Sequence, residues 1–301
     1  MPKKSVLTNL MQLSICITEA LEEGYQVDAV YIDLAKAFDS VNHAILVGKL
    51  QKFGIGGSFL AWLKSYLSNR IQIVSVNGNY SQPFLITSEV AQGSRLGPLL
   101  FDIFINDAVS VVQYSKIDLF ADDCRIYMKV KNECDAGKLQ TDIHNISNWL
   151  RLNKLSINES KNEKITFSRK SDMIKYDYQV LGLRTKEVDR VRDLGVILDR
   201  QWNFNHHLNM VISKAKKSLG FIKRITSHFS SVDVIGYLFK SLVLPYFTYA
   251  SVIWSPYTQS KFDRLNGIIK KFLRYLSFKP GAPMSFDDHN YGSISERSGI
   301  Y

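Results

Sequence analysis

The stretch "KIDLFADDCRIYMKV", residues 116–130, places two apolar segments end to end around a pair of carboxylates. Ile117 and Leu119 alternate on the way in, Ile126 and Met128 on the way out. That period of two is the pattern of a β-hairpin. On this reading the chain turns at Asp122 and Asp123. Asp is a good turn former, so one needs no further explanation. Two together at the tip of two apolar strands leave open whether they only turn the chain or also hold something.

Outward from the hairpin, "VDAVYIDLA" (27–35) is β-branched and nearly all apolar, and reads as a buried central strand. An amphipathic helix is expected over 5–23. Helical spacing continues in "AFDSVNHAILVGKLQKF" (37–53) up to Gly54, a C-terminal stop signal, and again in "FLAWLKSYL" (59–67). Asn77-Gly78 between "RIQIVSV" and "YSQPFLIT" predicts a tight hairpin over 70–87. "SRLGPLLFDIFINDAVSVV" (94–112) reads as a helix with Pro98 near its first turn. A further helix is expected over 138–155, strands at "EKITFS" and "VRDLGVILD", and mostly helix from 203 to about 277. Strands and helices thus alternate around one sheet in the first two-thirds. A helical appendage follows, with the boundary near residue 200.

The 301 residues are 46% hydrophobic, an ordinary globular composition for one large domain or two. No apolar run approaches the roughly 18 residues of a membrane span. The N-terminus has no leader pattern. Three widely spaced cysteines, Cys16, Cys124 and Cys134, form neither a disulfide framework nor a zinc pattern and suit a reducing, intracellular compartment. The net charge of +10 is localised. Residues 201–280 hold twelve Lys/Arg against two Asp/Glu, and the remainder is neutral. A basic helical region interleaved with aromatics is either a surface for phosphate backbones or a solvated face over an aromatic core.

Asp33 lies near the C-terminal end of the buried strand, where an ionised carboxylate is costly without a partner. If the hairpin pairs beside that strand, Asp33, Asp122 and Asp123 converge, and their repulsion calls for cations. Hard oxygen donors suit Mg²⁺, which takes one or two carboxylates plus substrate phosphates. Two such ions about 3.5–4 Å apart serve phosphoryl transfer.

With the carboxylates placed, the order "YIDLAKAFDSVNH", "AQGSRLGPLLFDIFINDA", "LFADD", "NKLSINESKNEKITF", "VRDLGVILDRQWNFNHHL" resembles the reverse transcriptases of non-LTR, LINE-like retrotransposons. The likeness extends through "LFKSLVLPYFTYASVIWSP" and "LNGIIKKFLR", about residues 5–277 in all; group II intron maturases fit less well. It implies an α/β (α+β) right-hand polymerase. A residual fingers or palm-entry helix spans 1–25, an antiparallel palm 26–200, a basic helical thumb 201–280 and a disordered tail 281–301. It further implies RNA-directed DNA synthesis with an RNA template, a DNA primer, dNTPs and two Mg²⁺ (or Mn²⁺) ions, with nuclear action and without a membrane or a stable protein partner. Asp33 and Asp122 resemble the metal ligands, helped by the Leu34 carbonyl, and Asp123 the accompanying acid. Phe38 stands at the position of the bulky gate that excludes a ribose 2′-OH; otherwise it is a core aromatic on the helix beginning there. Gln92 and Gly93 resemble the nucleotide-contacting pair, and Lys161 the lysine that neutralises or protonates leaving pyrophosphate. Lys214, Lys217, Lys223, Arg224, Lys270, Lys271 and Arg274 are candidates for the duplex-facing side of the thumb. His206 and His207, about 100° apart on a helix, read as structural rather than metal-binding.

Two departures stand out. The family usually shows G-V-P-Q-G-S where this chain has Glu89-Val90-Ala91-Gln92-Gly93-Ser94, so Glu89 replaces a glycine and Ala91 a proline. The upstream fingers strands also have no counterpart, which is expected of an N-terminally truncated open reading frame. Three functions therefore stay open: a polymerase, an inactive nucleic-acid-binding remnant, and a co-opted interaction protein.

Overall fold

The computed structural model describes residues 5–91 and 93–280. The described residues fall into two units, one within 15–191 and one of residues 5–14 with 192–280, and the tail expected over 281–301 lies outside them.

Helix α1 (Val6–Glu22) leads into β1 (Gln26–Asp33), whose residues are buried apart from a half-exposed Tyr31 and Asp33. The helix expected from Ala37 begins later. Residues 35–40 are turns, with Lys36 at φ +47°, and α2 spans His43–Lys52. Its start is fixed by Asn42, whose side chain accepts the Ile45 N–H at 3.1 Å, a favoured N-cap. The apolar residues before it go into the core instead: Ala37 is buried, and Phe38 stacks on Phe101 with ring centroids 4.6 Å apart. Gly54, at φ +84°, follows α2 as its sequence signal implied.

Helix α3 (Gly57–Leu67) precedes a long hairpin of β2 (Arg70–Gln72), β3 (Ser75–Val76), β4 (Asn79–Tyr80) and β5 (Phe84–Ile86). β3 pairs with β4 and β2 with β5, around Asn77 and Gly78 at φ +51° and +81°. Positive φ at both positions suits the right-handed twist of a hairpin. Helix α4 covers only Leu96–Ile105 of the expected 94–112 and tightens into a 3₁₀ segment, Asn106–Val111. There Asp107 is drawn to Lys49 Nζ at 2.7 Å and Trp149 Nε1 at 3.1 Å.

Next come β6 (Lys116–Phe120), β7 (Asp123–Val130) and α5 (Glu133–Leu152). α5 begins five residues before the expected 138, capped by Asn132 at 3.0 Å from the Asp135 N–H, with Glu133 and Asp135 favourably placed in its first turn. β8 (Glu163–Phe167), β9 (Gln179–Val180), β10 (Leu183–Arg184) and β11 (Lys186–Glu187) follow.

The main sheet runs β11-β8-β1-β7-β6, antiparallel except for the β11–β8 pair, with β1 at its centre. One face of the sheet (Val30, Ile32, Cys124, Ile126, Val130) packs with α4 and α5 through Phe101, Phe104, Ile143 and Ile146. On the other face Val27, Ala29, Tyr127, Ile165 and Phe167 are also buried. Glu23, just past α1, pairs there with Lys129 at 2.9 Å.

β12 (Arg190–Asp193) and β13 (Val196–Asp199) form a hairpin whose turn, Leu194-Gly195, has φ +43° and +87°. The second unit continues with α6 (Asn205–Ile225), α7 (Val232–Leu242), α8 (Leu244–Thr248), α9 (Ser251–Trp254) and α10 (Gln259–Ser277). Phe239 of α7 stacks on Phe272 of α10 at 3.9 Å. Lys279 Nζ reaches the Thr226 and Ser227 carbonyls at 2.6 and 2.7 Å and so satisfies the C-terminus of α6.

Candidate active site

The hairpin turns one residue earlier than its sequence suggested. Phe120 pairs with Asp123, so the tip is Ala121 and Asp122, with Ala121 at φ +51°. Asp123 is therefore the first residue of β7 rather than half of the turn. The register of β7 on β1 then sets Asp123 directly across from Asp33. In an antiparallel pair, facing residues project from the same side of the sheet. The tip is fastened to β1 as well, because the Leu34 N–H donates to the Asp122 carbonyl at 3.2 Å. On the opposite edge of β1 the Asn158 N–H binds the Asp33 carbonyl at 2.8 Å, and the Ala35 N–H binds the Ser156 carbonyl at 2.9 Å. Both edges of the strand end that carries Asp33 are thus held.

Lys161 Nζ lies 3.1 and 3.3 Å from the two Asp33 carboxylate oxygens. The lysine side chain is 62% exposed, so solvent screens the pair and it adds little stability. Its consequence is local: a cation from the 3₁₀ segment Glu159–Lys161 lies on the acid that faces Asp123. Among the described residues no three Asp, Glu, His or Cys side chains stand close enough to hold a metal ion by themselves.

Phe38 is half-buried in the turn after β1, on no helix, and its carbonyl accepts the Val90 N–H at 3.0 Å. Gln92 lies outside the described residues. Gly93 adopts φ +81°, and a Cβ there would meet nothing within 4 Å, so backbone conformation rather than close approach requires glycine. Crowding acts instead at Gly97, where a Cβ would fall 2.6 Å from the Ala91 carbonyl oxygen. That carbonyl accepts from the Ser94 hydroxyl at 2.8 Å, which in turn accepts the Gly97 N–H at 2.9 Å, winding the first turn of α4 tightly.

Beneath the hairpin tip, Asp118 and Arg125 form a cross-strand ion pair at 2.5 Å, with both side chains about 95% buried. Burial, then the nearby Asp118 carboxylate, push the Cys124 thiol up to about 12 and the Tyr127 hydroxyl well above its ordinary range. The segment entering β6 is anchored by Asp142 of α5, which accepts from the Gln113, Tyr114 and Ser115 N–H groups and the Ser115 hydroxyl at 2.7–2.9 Å. Burial alone would raise its pKa, but these bonds together hold it below the usual carboxylate range.

In the second unit Lys214, Lys217, Arg224, Lys271 and Arg274 are exposed, while Lys223 and Lys270 are partly covered. Lys223 lies over the Tyr275 ring at 5.3 Å. His207 is buried. Its Nδ1 accepts the Ile197 N–H at 3.1 Å, and its ring meets Trp254 edge-on. Burial, with Lys214 adding, lowers its pKa to about 4. It is a neutral structural histidine.

The model of the family described as "Reverse transcriptase (RNA-dependent DNA polymerase)" matches residues 4–198. The chain belongs to that family. It is 25% identical over 288 residues to a Drosophila melanogaster protein named "Probable RNA-directed DNA polymerase from transposon BS", covering 92% of this chain and 32% of that one. To the "Probable RNA-directed DNA polymerase from transposon X-element" of the same organism it is 26% identical, over 87% of this chain and 29% of that one. The chain thus spans about a third of these relatives' length, and both relatives are named for transposons, as the ordered motifs suggest. The apo telomerase structure from Candida tropicalis superposes with a TM-score of 0.49 at 11% identity, covering 97% of this chain and 46% of that one.

Proposed function

We propose that the chain carries the nucleotidyl-transfer site of an RNA-directed DNA polymerase. The reading rests above all on the register that sets Asp123 across from Asp33, with Asp122 tied to the same strand end. Two facing carboxylates and a third at the adjoining tip are hard oxygen donors on neighbouring positions, which do not close on a metal ion by themselves. A lysine 3.1 Å from Asp33 supports this reading, since it places a cation on one of the acids. Such donors fit Mg²⁺ or Mn²⁺, which completes its shell from substrate phosphates and water rather than from a closed protein cage. Asp33, Asp122 and the Leu34 carbonyl would hold two ions. Bound there, the ions supply charge stabilisation for the attacking and leaving oxygens.

The chain's own residues supply position. The bonds on both edges of β1 keep the acids fixed as charge develops. Phe38, braced against Phe101, offers a ring that would collide with a ribose 2′-OH. Gly93 and Gln92 would meet the nucleotide. Lys161 would move from Asp33 to the leaving pyrophosphate once the carboxylate is otherwise neutralised. An RNA template, a DNA primer and dNTPs are the substrates of this reading, with the basic faces of α6 and α10 contacting the phosphate backbone.

Primer extension tests it, with the purified chain, an RNA template, a DNA primer, dNTPs and Mg²⁺, beside an Asp122→Asn/Asp123→Asn variant. Extension by the parent and none by the variant is the expected result. If neither extends while both bind the duplex in a salt-sensitive way, the chain is a binding protein of polymerase descent.

A further inference from the structure

Beside the turn that follows β1 lies a cavity of about 690 Å³, lined among others by Lys36, Asp39, Arg70, Phe84 and Glu89. Its size is that of a small-molecule site. Arg70 is the group in it whose bonding is incomplete. Nη2 meets the Glu89 carboxylate only at a long 3.5 Å, and the buried Nη1 has no hydrogen-bond partner among the described residues. A guanidinium binds best to an anion that takes two of its nitrogens at once.

Glu89 is held in an unusual way. It adopts φ +102°, a conformation that favours glycine. Its N–H is bound to the Val41 carbonyl at 3.0 Å, its carbonyl to His43 Nε2 at 2.8 Å, and the next N–H to Phe38 at 3.0 Å. Three tethers thus hold a strained backbone that delivers a carboxylate to Arg70, which it satisfies poorly.

We propose that this cavity is an anion site for a polyphosphate chain, that Arg70 grips the phosphate oxygens, and that Glu89 is a built-in competitor the ligand displaces. A polyphosphate offers Arg70 the paired acceptors that Glu89 does not, and further oxygens for Lys36. Lys36 follows Asp33 by three residues, so the site adjoins the catalytic acids in the chain. Identifying the polyphosphate as the triphosphate of an incoming nucleotide rests on the polymerase reading; the anion site does not.

The test is calorimetric titration of the whole chain with inorganic tripolyphosphate, without nucleic acid or divalent metal. The basic second unit also attracts this probe, so the readout is dependence on Arg70 and Glu89. Glu89→Gln and Glu89→Gly should each tighten one class of site by about tenfold, the effect of freeing a charge-assisted donor pair. Adding Arg70→Ala to Glu89→Gln should abolish the gain, and Arg70→Lys, which keeps the charge but not the fork, should abolish most of it. Thermal melts check that each variant folds, and Arg70→Lys serves if Arg70→Ala does not. Equal affinity in the parent and Glu89→Gln overturns the competitor, and a gain that survives both Arg70 changes overturns the site. A chain that shows the Arg70-dependent gain yet extends no primer removes the polymerase reading and leaves the anion site standing.

Discussion

Asp118 lies under the hairpin tip, as buried as the apolar residues around it, and its charge is balanced by Arg125. Removing one member of such a pair strands the other in a poor solvent. Asp118→Ala is therefore expected to destabilise the fold by about 3–5 kcal/mol in urea titrations, while an Asp118→Leu/Arg125→Met double change loses much less. The pair is encoded in the sequence, but only for a reader who places the turn at Ala121-Asp122. A turn at Asp122-Asp123 sets Asp118 against Tyr127 and hides it. His207 carries a second expectation. Its folded pKa, about 4, lies below the ordinary histidine value of 6.5, so between these pH values the unfolded chain binds a proton that the folded chain refuses. Stability should fall as pH drops from 6.5 towards 4. His207→Gln, which keeps an acceptor for the Ile197 N–H but does not titrate, should flatten that part of the melting-temperature profile. Arg70 was not legible at all, because its partners come from segments that sequence spacing does not connect.

At the scale of elements, hydrophobic period gave β1 and α3 nearly as they stand, the Asn-Gly pair gave the hairpin around it, and the region after 203 was legible only as mostly helical. Their ends were less visible, because local bonds set them: Asn42 and Asn132 as caps, and Asp107 pulled from helical geometry by Lys49 and Trp149. Helix α4 shows the same competition in energetic terms. Helix propensity favours Gly97→Ala by up to about 1 kcal/mol, but the new Cβ would press on the Ala91 carbonyl at 2.6 Å, a contact that forces backbone to move. The clash should win. A net loss of about 1–3 kcal/mol in thermal or urea unfolding is expected, the usual range for overpacking.

Across the whole molecule, the family was legible because five motifs occur in one order, each of them weak alone. The charge partition was legible because it is only a count. It carries an expectation that needs no atomic detail. If the exposed lysines of α6 touch phosphates, the affinity for duplex should fall steeply with salt. Lys214→Ala/Lys217→Ala should then lower the log–log slope by about 1.8, that is about 0.9 per lost contact. An unchanged slope would mean that these lysines only solvate the helix.

Cys124 sits between Asp123, which faces Asp33, and Arg125, which holds the buried ion pair. Its thiol is fully enclosed and far from ionised at neutral pH. Alkylating reagents need an accessible thiolate, so they can reach Cys124 only while β7 is parted from its neighbours. The exposed Cys134 marks the reagent's unhindered rate in the same tube. The hairpin thus carries its own reporter: the ratio of the two labelling rates, followed by peptide mapping, gives the fraction of time that β7 spends parted from the sheet.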